Sequence, residues 1–247
     1  MRDKCFGGAM RSTAPVQNNS ALVELVRVRY RVGDTEILRG VSLQINPGER
    51  VALLGANGAG KTTLLRLING LISSNEGTLA SPPVALQAML FQKPPLLRRN
   101  VLDNVAFALK SRGMAETEAE QLSMQTLSRC GLTGLSQRYA RALSGGEQQK
   151  LALARAWVTR PTLLLADEAT ASLAPAAVHE VERLMLDMCE QGSTLIFATH
   201  NRGQAKRLAT RIVFMSAGRV IEDRTADDFF ANPASQEAID YINVERV

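Results

Sequence analysis

The sequence contains no long apolar run. None of its 247 residues lies in a stretch approaching the roughly eighteen consecutive apolar residues of a membrane-spanning helix, so we do not expect the chain itself to cross a membrane. The first twenty residues are polar, and they lack the apolar centre of a signal peptide. We therefore expect no export sequence, and we interpret residues 1–20 as a disordered tail preceding one domain at 21–247.

Cysteine is sparse, and internal repeats are absent. Cys5, Cys130 and Cys189 lie far apart without C-x-x-C spacing, which favours reduced thiols over disulfides or a metal site. The net charge of +5 is too small to indicate nucleic-acid binding by itself. The apolar fraction of 45% is typical of a chain that can bury a globular core.

Apolar periodicity predicts strands that alternate with helices. Strands are expected at 21–28, 41–45, 51–54, 89–91, 163–166, 194–198, 211–215 and 218–222, the last two forming a hairpin. Helices are expected at 61–71, 101–111, 115–130, 146–158, 176–190, 202–208, 227–230 and 236–243. This alternation indicates an α/β fold with a mostly parallel sheet covered on both faces. The stretch from about 95 to 142 has helical patterns only and predicts a separate helical lobe.

Residues 55–62 read Gly-Ala-Asn-Gly-Ala-Gly-Lys-Thr, the complete G-x-x-x-x-G-K-[ST] pattern of a phosphate-binding loop. An apolar strand precedes the loop and a helix follows it, which is the context that the motif requires. Glycines allow several backbone N–H groups to point at a phosphate chain. Lys61 would add a charge for the phosphates, and the Thr62 hydroxyl can bind Mg²⁺. An ordinary glycine-rich turn is the alternative interpretation.

Two acids, Asp167 and Glu168, follow the apolar run at 163–166. A buried strand of an open α/β sheet delivers such side chains to its carboxyl end, where ligands bind. Asp167 would hold Mg²⁺, and Glu168 would polarise the attacking water as a general base. Two acids alone could equally cap the next helix, but together with the phosphate loop they predict an ATPase.

The segment 143–149 reads Leu-Ser-Gly-Gly-Glu-Gln-Gln. Ser144 and Glu147 have the spacing of a capping box, so a simple helix cap is one interpretation. Gly145 and Gly146 would also expose N–H groups at the positive end of a helix, which forms a second anion site. Two such sites in one chain favour a head-to-tail pair of subunits, each completing the nucleotide site of the other.

In this order the motifs resemble those of the ATP-binding cassette (ABC) ATPases, over about residues 20–245. The resemblance implies ATP and Mg²⁺ as cofactors and a P-loop NTPase core with a small antiparallel β lobe and an inserted α-helical lobe. It implies nucleotide contacts from Tyr30, Gly55, Asn57, Gly58, Gly60, Lys61, Thr62, Thr63, Ser144, Gly145 and Gly146. It implies catalytic roles for Glu168, the switch histidine His200 and the Q-loop glutamine Gln92, and metal contacts from Thr62, Gln92 and Asp167.

Some of these residues have simpler interpretations. Tyr30 could be packing at a strand end, Gln92 a polar loop residue, and His200 a structural histidine. The sequence also departs from the family pattern after Glu168, where Ala169 replaces a usual proline. Ala174 occupies the place of the D-loop aspartate, whose carboxylate helps to tie the two subunits together in the family. Its absence puts the coupling between the two nucleotide sites in question.

The resemblance extends to a cellular task. The stretch between Lys61 and Gln92, which contains Pro82 and Pro83, is short for the family and suggests a trimmed β lobe. This feature, together with the sequences of the segments at 91–101 and 227–233, is similar to those of the ATPases of bacterial oxyanion importers. Tungstate is the expected cargo, with phosphate, molybdate or another solute as alternatives. An exporter or lipid-handling ATPase also stays open. A soluble cassette protein acting on ribosomes or DNA is disfavoured, because such chains carry two cassettes or a long inserted coiled coil.

The resemblance also implies partners. A second identical ATPase cassette, transmembrane permease subunits and, indirectly, a substrate-binding protein are expected, and nucleic acid is not. The basic turn at 94–99, beside Gln92, would contact the permease, although a solvated turn is the alternative. The expected location is peripheral, at the cytoplasmic face of the inner membrane.

Overall fold

A computed structural model describes residues 21–243, so the predicted tail at 1–20 lies outside the described residues. The strands are β1 (Val23–Val32), β2 (Thr35–Ile45), β3 (Arg50–Leu54), β4 (Glu76–Ala80), β5 (Gln87–Phe91), β6 (Leu163–Asp167), β7 (Thr194–Ala198), β8 (Arg211–Ser216) and β9 (Arg219–Thr225). The helices are α1 (Lys61–Ile68), α2 (Val101–Lys110), α3 (Glu116–Arg129), α4 (Gly145–Trp157), α5 (Pro175–Glu190), α6 (Arg202–Leu208), α7 (Ala226–Ala231) and α8 (Gln236–Asn243).

The central sheet has six strands in the order β5-β6-β7-β3-β8-β9. Strands β5, β6, β7, β3 and β8 pair in parallel, and β9 pairs with β8 in antiparallel orientation. The predicted mostly parallel sheet is therefore confirmed. The hairpin between β8 and β9 turns at Ala217 and Gly218, both with positive φ. Gly218 is required there because a Cβ atom would lie 2.2 Å from the carbonyl oxygen of Ile37.

A second, antiparallel sheet has the order β2-β1-β4, which confirms the predicted small β lobe. Two of its features differ from the sequence prediction. Strand β2 begins at Thr35 rather than at residue 41, and β4 was not predicted at all. The β1–β2 ladder shifts register between Leu25 and Arg29 and again after Tyr30, so the simple alternation on which a strand prediction depends is broken.

Side chains of the central sheet alternate between two apolar clusters, one on each face. On one face, Val51 and Leu53 pack with α1 and with the antiparallel sheet. On the other face, Ala52 and Leu54 pack with α2, α4 and α5. Both faces of β3 are thus fully buried, and the loop that follows β3 starts from a strand fixed on either side.

Between β5 and α4, the chain forms helices α2 and α3 and no strand, as the sequence predicts. Ala106, Leu109 and Ala119 form a small apolar cluster between these two helices. The limits of a separate lobe at about 95–142 stay a prediction. Within residues 21–243, none of the helices has the length and apolarity needed to span a membrane.

Candidate nucleotide-binding and catalytic site

Four segments predicted to contribute to the site follow strands of the parallel sheet. The phosphate loop follows β3, Gln92 follows β5, and His200 follows β7, while Asp167 and Glu168 lie at the end of β6. Because the parallel strands have their carboxyl ends at one edge of the sheet, these segments lie along that edge. This is the edge at which open α/β sheets bind their ligands.

The phosphate loop depends on glycine for its backbone path. Gly55, Gly58 and Gly60 have φ angles of +144°, +80° and +101°, which L-residues with side chains rarely adopt. At Gly55 a Cβ atom would lie 2.1 Å from the carbonyl oxygen of Met215, and at Gly60 it would lie 2.7 Å from Cδ2 of Leu38. The backbone of Met215 therefore leaves room for glycine only at position 55, whereas at Gly60 the positive φ is the main constraint. Asn57 and Gly58 are exposed at the loop tip.

Lys61 begins α1, and its side chain is 6% exposed. The ammonium group donates hydrogen bonds to the carbonyl oxygens of Gly55, at 2.7 Å, and Ala56, at 3.0 Å. Burial lowers the pKa of Lys61, and the nearby carboxylates of Glu168 and Asp167 oppose this shift. The cation is thus held against the backbone of the loop that carries the phosphate-binding motif.

Thr62 and Asp167, the two predicted magnesium ligands on α1 and β6, are in contact. The Thr62 hydroxyl donates a hydrogen bond of 2.8 Å to Oδ1 of Asp167. Burial raises the pKa of Asp167, the Thr62 hydrogen bond opposes the shift, and the negative charge of Glu168 adds to it. The positive charges of Arg66 and Lys61 also oppose the rise in the pKa of Asp167, but burial has the larger effect.

A hydroxyl beside a carboxylate is the oxygen donor set that Mg²⁺ takes from a protein, because the ion completes its shell with water and phosphate oxygens. No group of three or more His, Cys, Asp or Glu residues able to hold a metal occurs in the described part of the chain. The pair formed by Thr62 and Asp167 therefore fits Mg²⁺ bound together with a nucleotide, and it does not fit a metal caged by protein ligands alone.

Glu168 and His200 lie side by side. Nδ1 of His200 is 3.5 Å from Oε1 of Glu168, and the two side chains are 55% and 25% exposed, respectively. The backbone of Glu168 has a φ of +48°, unusual for a residue other than glycine, and its N–H donates to the carbonyl oxygen of Ala198. The structure thus brings the predicted base and the predicted switch histidine together at the end of β6 and β7.

Gln92 is not hydrogen-bonded to Thr62 or Asp167. Its amide donates to the hydroxyl of Ser172 at 3.1 Å, in the segment after Glu168. The end of β5 is also tied to α4, since Nε2 of Gln149 donates to the carbonyl oxygen of Phe91 at 3.2 Å. The amide oxygen of Gln92, the atom that could bind a metal, is not used in this bond, and a contact of Gln92 with Mg²⁺ remains a prediction.

The signature segment forms the predicted capping box at the start of α4. The Ser144 hydroxyl accepts from the N–H of Glu147, and the Glu147 carboxylate accepts from the N–H of Ser144 at 2.7 Å. Atoms of Leu173 and Ala177 are the nearest neighbours of Cβ positions built on Gly145 and Gly146. The signature segment therefore packs beside Leu173, which precedes α5, and beside the first turn of α5, and not onto the phosphate loop of its own chain.

Tyr30 is partly buried in β1, where it pairs with Leu38 and packs against the apolar cluster on the α1 side of the sheet. Its predicted contact with adenine is untested. The site also contains polar residues that sequence reasoning missed, among them Thr170, Ser172 and Gln204. Ser172 lies in the D-loop segment, two residues before Ala174, whereas Thr170 and Gln204 belong to no motif and only their partners in space distinguish them from ordinary loop and helix residues.

Comparison with known proteins agrees with this geometry. The ABC transporter family model matches residues 38–171. The glutamate transport ATP-binding protein GluA of Corynebacterium glutamicum is 36% identical over 90% of this chain and 98% of that protein. The tungstate uptake system ATP-binding protein TupC of Peptoclostridium acidaminophilum is 39% identical over 84% of this chain and 99% of that protein. The solved structure of cbiO1 from Clostridium perfringens, part of the ABC transporter complex cbiONQ, aligns with a TM-score of 0.79 at 28% identity, covering 92% of this chain and 96% of that one.

The fold and the site define a P-loop ATPase with an α/β core. More specifically, the chain belongs to the ABC transporter family, and it is the ATPase subunit of an ABC importer. It uses ATP with Mg²⁺, and it works as a dimer with membrane permease subunits and a substrate-binding protein, as a peripheral subunit at the cytoplasmic face of the membrane. The expected family is thereby confirmed, whereas the expected tungstate specificity is not confirmed.

Proposed function

We propose that the chain powers the import of an amino acid, and that the residues at the carboxyl edge of the sheet carry out the ATP hydrolysis. The proposal for the chemistry is supported above all by one observation, the contact between Glu168 and His200 at 3.5 Å beside the Thr62–Asp167 pair. These four side chains come from three separate segments, namely the start of α1, the end of β6 and the segment after β7, and the shared carboxyl edge of the sheet brings them together.

The roles follow from the chemistry of each group. The N–H groups of residues 55–62 and the Lys61 ammonium bind the phosphates, while Thr62 and Asp167 hold Mg²⁺, which neutralises charge on the phosphate oxygens. Glu168 accepts a proton from water while the water oxygen bonds to the γ-phosphorus and the bond to ADP breaks. His200 contacts the γ-phosphate and orients the water beside Glu168.

The nucleotide site is completed by a second copy of the chain. Ser144 and Gly145 are exposed, and their segment packs beside the start of α5, so the anion-binding start of α4 is available to the phosphates of another subunit. Two ATP molecules would then close the homodimer, and hydrolysis would open it. Because Ala174 lacks the carboxylate of the usual D-loop aspartate, the coupling between the two sites depends on other contacts of this segment.

The cargo does not touch this subunit, so its proposed identity comes from the relatives. The GluA alignment extends over 236 residues, compared with 215 residues for TupC, and a glutamine transport ATP-binding protein of Escherichia coli also matches over 236 residues. We therefore take glutamate and glutamine as the first cargo to test. Tungstate is the second candidate, supported by the 39% identity to TupC.

The test is uptake by cells that lack the gene and carry either the wild-type chain or the Glu168→Gln variant. Labelled glutamate and glutamine are followed in parallel with tungsten, which is measured by elemental mass spectrometry. We expect amino-acid uptake to return with the wild type only. Tungsten accumulation without amino-acid uptake would contradict the amino-acid proposal, and restoration by Glu168→Gln would contradict the assignment of the base.

A further inference from the structure

We propose that Gln204 and Thr170 form a positioning pair for ATP hydrolysis. A buried hydrogen bond between them holds the segment that carries Glu168 against the segment that carries His200. The inference rests on the proposed function, because it requires Glu168 and His200 to act in catalysis. Neither member of the pair belongs to a motif of the sequence, and neither lies at the exposed surface of the site.

The contact is short and inaccessible to solvent. Nε2 of Gln204 donates to the hydroxyl oxygen of Thr170 at 2.7 Å, and the two residues are only 4% and 8% exposed. Thr170 lies two positions after Glu168. Gln204 lies in the first turn of α6, four positions after His200. The bond therefore joins the segments that follow β6 and β7, which are adjacent strands with Asp167 opposite Ala198.

The way in which α6 begins explains why Gln204 is available for this contact. Asn201 caps the helix, with its side-chain oxygen accepting from the N–H of Gln204 at 3.0 Å. In a capping box the side chain at the position of Gln204 reaches back to the N–H of the capping residue. Here the Thr199 hydroxyl accepts that N–H at 3.0 Å instead, so the amide of Gln204 extends inward to Thr170.

Glu168 needs such support because its local geometry is unfavourable. Its φ of +48° is a strained conformation for a residue with a side chain, and such a conformation persists only where surrounding contacts enforce it. The 3.5 Å contact between Glu168 and His200 is too exposed to fix the two groups by itself. The hydrogen bond between Gln204 and Thr170 joins neutral groups and is buried, so water does not weaken it in this way.

The consequence concerns turnover rather than nucleotide binding. The pair makes no hydrogen bond to the phosphate loop, where Lys61 and Thr62 lie, so ATP affinity should be insensitive to it. Loss of the bond would let the loop of Glu168 shift relative to His200 and would misplace the attacking water. Small misplacements at a reacting centre lower the rate of the chemical step strongly.

The experiment is a double-mutant cycle on the purified full-length chain, with Gln204→Met, Thr170→Val and the two combined. Each single variant is expected to lower kcat about tenfold, with KM for ATP within about twofold of the wild type. The double variant is expected to be no slower than the single variants, because both act through one contact. Gln44→Met is the matched control, since Gln44 bonds Glu24 on the exposed face of the antiparallel sheet.

Thermal midpoints separate positioning from a purely structural role. Each single variant leaves a buried polar group without its partner and should melt lower, whereas the double variant replaces both groups by apolar ones and should recover much of the loss. We expect kcat to stay low in the double variant in spite of this recovery. Recovery of kcat together with stability, or wild-type kcat in both single variants, would overturn the proposal.

The turnover of Glu168→Gln is measured in parallel, so that failure of the proposed base can be distinguished from failure of the proposed positioning pair. Wild-type turnover by Glu168→Gln would refute the proposed base, whatever the Gln204 variants do. Low turnover by Glu168→Gln combined with unchanged turnover by Gln204→Met and Thr170→Val would refute the positioning pair alone.

Discussion

Replacement of Asp167 by asparagine should stabilise the nucleotide-free protein and at the same time abolish its ATPase activity. Asp167 lies half-buried at the end of β6, where burial, with the charge of Glu168 in addition, raises its pKa. Asparagine has nearly the same shape, and its side-chain oxygen can still accept the 2.8 Å hydrogen bond from Thr62. The substitution therefore removes a disfavoured charge without removing the contact.

The sign of the effect follows from proton linkage. Because the pKa of Asp167 is higher in the folded state than in the unfolded state, the folded protein binds this proton more tightly, and the free energy of unfolding falls as pH rises through the interval between the two pKa values. Above that interval the ionised carboxylate destabilises the fold. After solvent screening of a partly exposed site, we expect the variant to gain about 1 kcal/mol at neutral pH, or roughly 2–4 °C in Tm.

The assay is thermal unfolding of both proteins without nucleotide, from pH 8 down to the lowest pH at which both proteins still fold. The advantage of Asp167→Asn should shrink as pH falls through the interval between the folded and unfolded pKa values of Asp167, because the folded wild-type protein then takes up the proton. Asp34→Asn, in the exposed turn between β1 and β2, is the control and should leave Tm unchanged. A variant that melts below the wild type at neutral pH, or an advantage that persists unchanged at low pH, would refute the reasoning.

Three further substitutions test the other parts of the site. Lys61→Ala removes two or more charge-assisted bonds to phosphate and should weaken ATP binding in calorimetry at least about 100-fold; affinity within a few-fold of wild type would contradict its role. Gly55→Ala places a Cβ atom 2.1 Å from the Met215 carbonyl oxygen and should cost about 2 kcal/mol or more in urea unfolding, so an unchanged midpoint would disprove the steric argument. Ser144→Ala removes the cap of α4 and should cost about 1 kcal/mol of unfolding free energy while also weakening ATP-dependent dimerisation; normal dimerisation would argue against a phosphate contact.

The strongly periodic segments of the fold were predictable from the sequence, and the irregular ones were not. Strand β7 (Thr194–Ala198) and helix α6 (Arg202–Leu208) occur where apolar periodicity predicts them. Strand β4 escaped prediction because almost all of its residues are exposed and Gly77 interrupts it, so it carries no alternating pattern. Strand β4 forms because its backbone pairs with the edge of β1. Such pairing joins residues far apart in the chain, so a short stretch of sequence cannot predict it.

The candidate site also contains residues that the sequence predicts and residues that it does not. The phosphate loop and the two acids at the end of β6 can be recognised in the sequence, because each requires particular residue types at fixed spacing within one short segment. The bonds from Gln92 to Ser172 and from Gln204 to Thr170 join residues that are distant in the chain, and they depend on which strands become neighbours. A sequence pattern therefore identifies the groups that touch the nucleotide more readily than the groups that hold them in place.

The most direct test of the account is the oligomeric state of Glu168→Gln with ATP and Mg²⁺, measured by light scattering after size-exclusion chromatography. Glu168 is expected to be the base, and the exposed start of α4 is expected to complete the site of a second chain, so this variant should bind ATP and accumulate as a dimer with two bound nucleotides. The Lys61→Ala variant, as a control, should stay monomeric. A Glu168→Gln protein that binds ATP and remains monomeric, or that turns ATP over at the wild-type rate, would contradict the account.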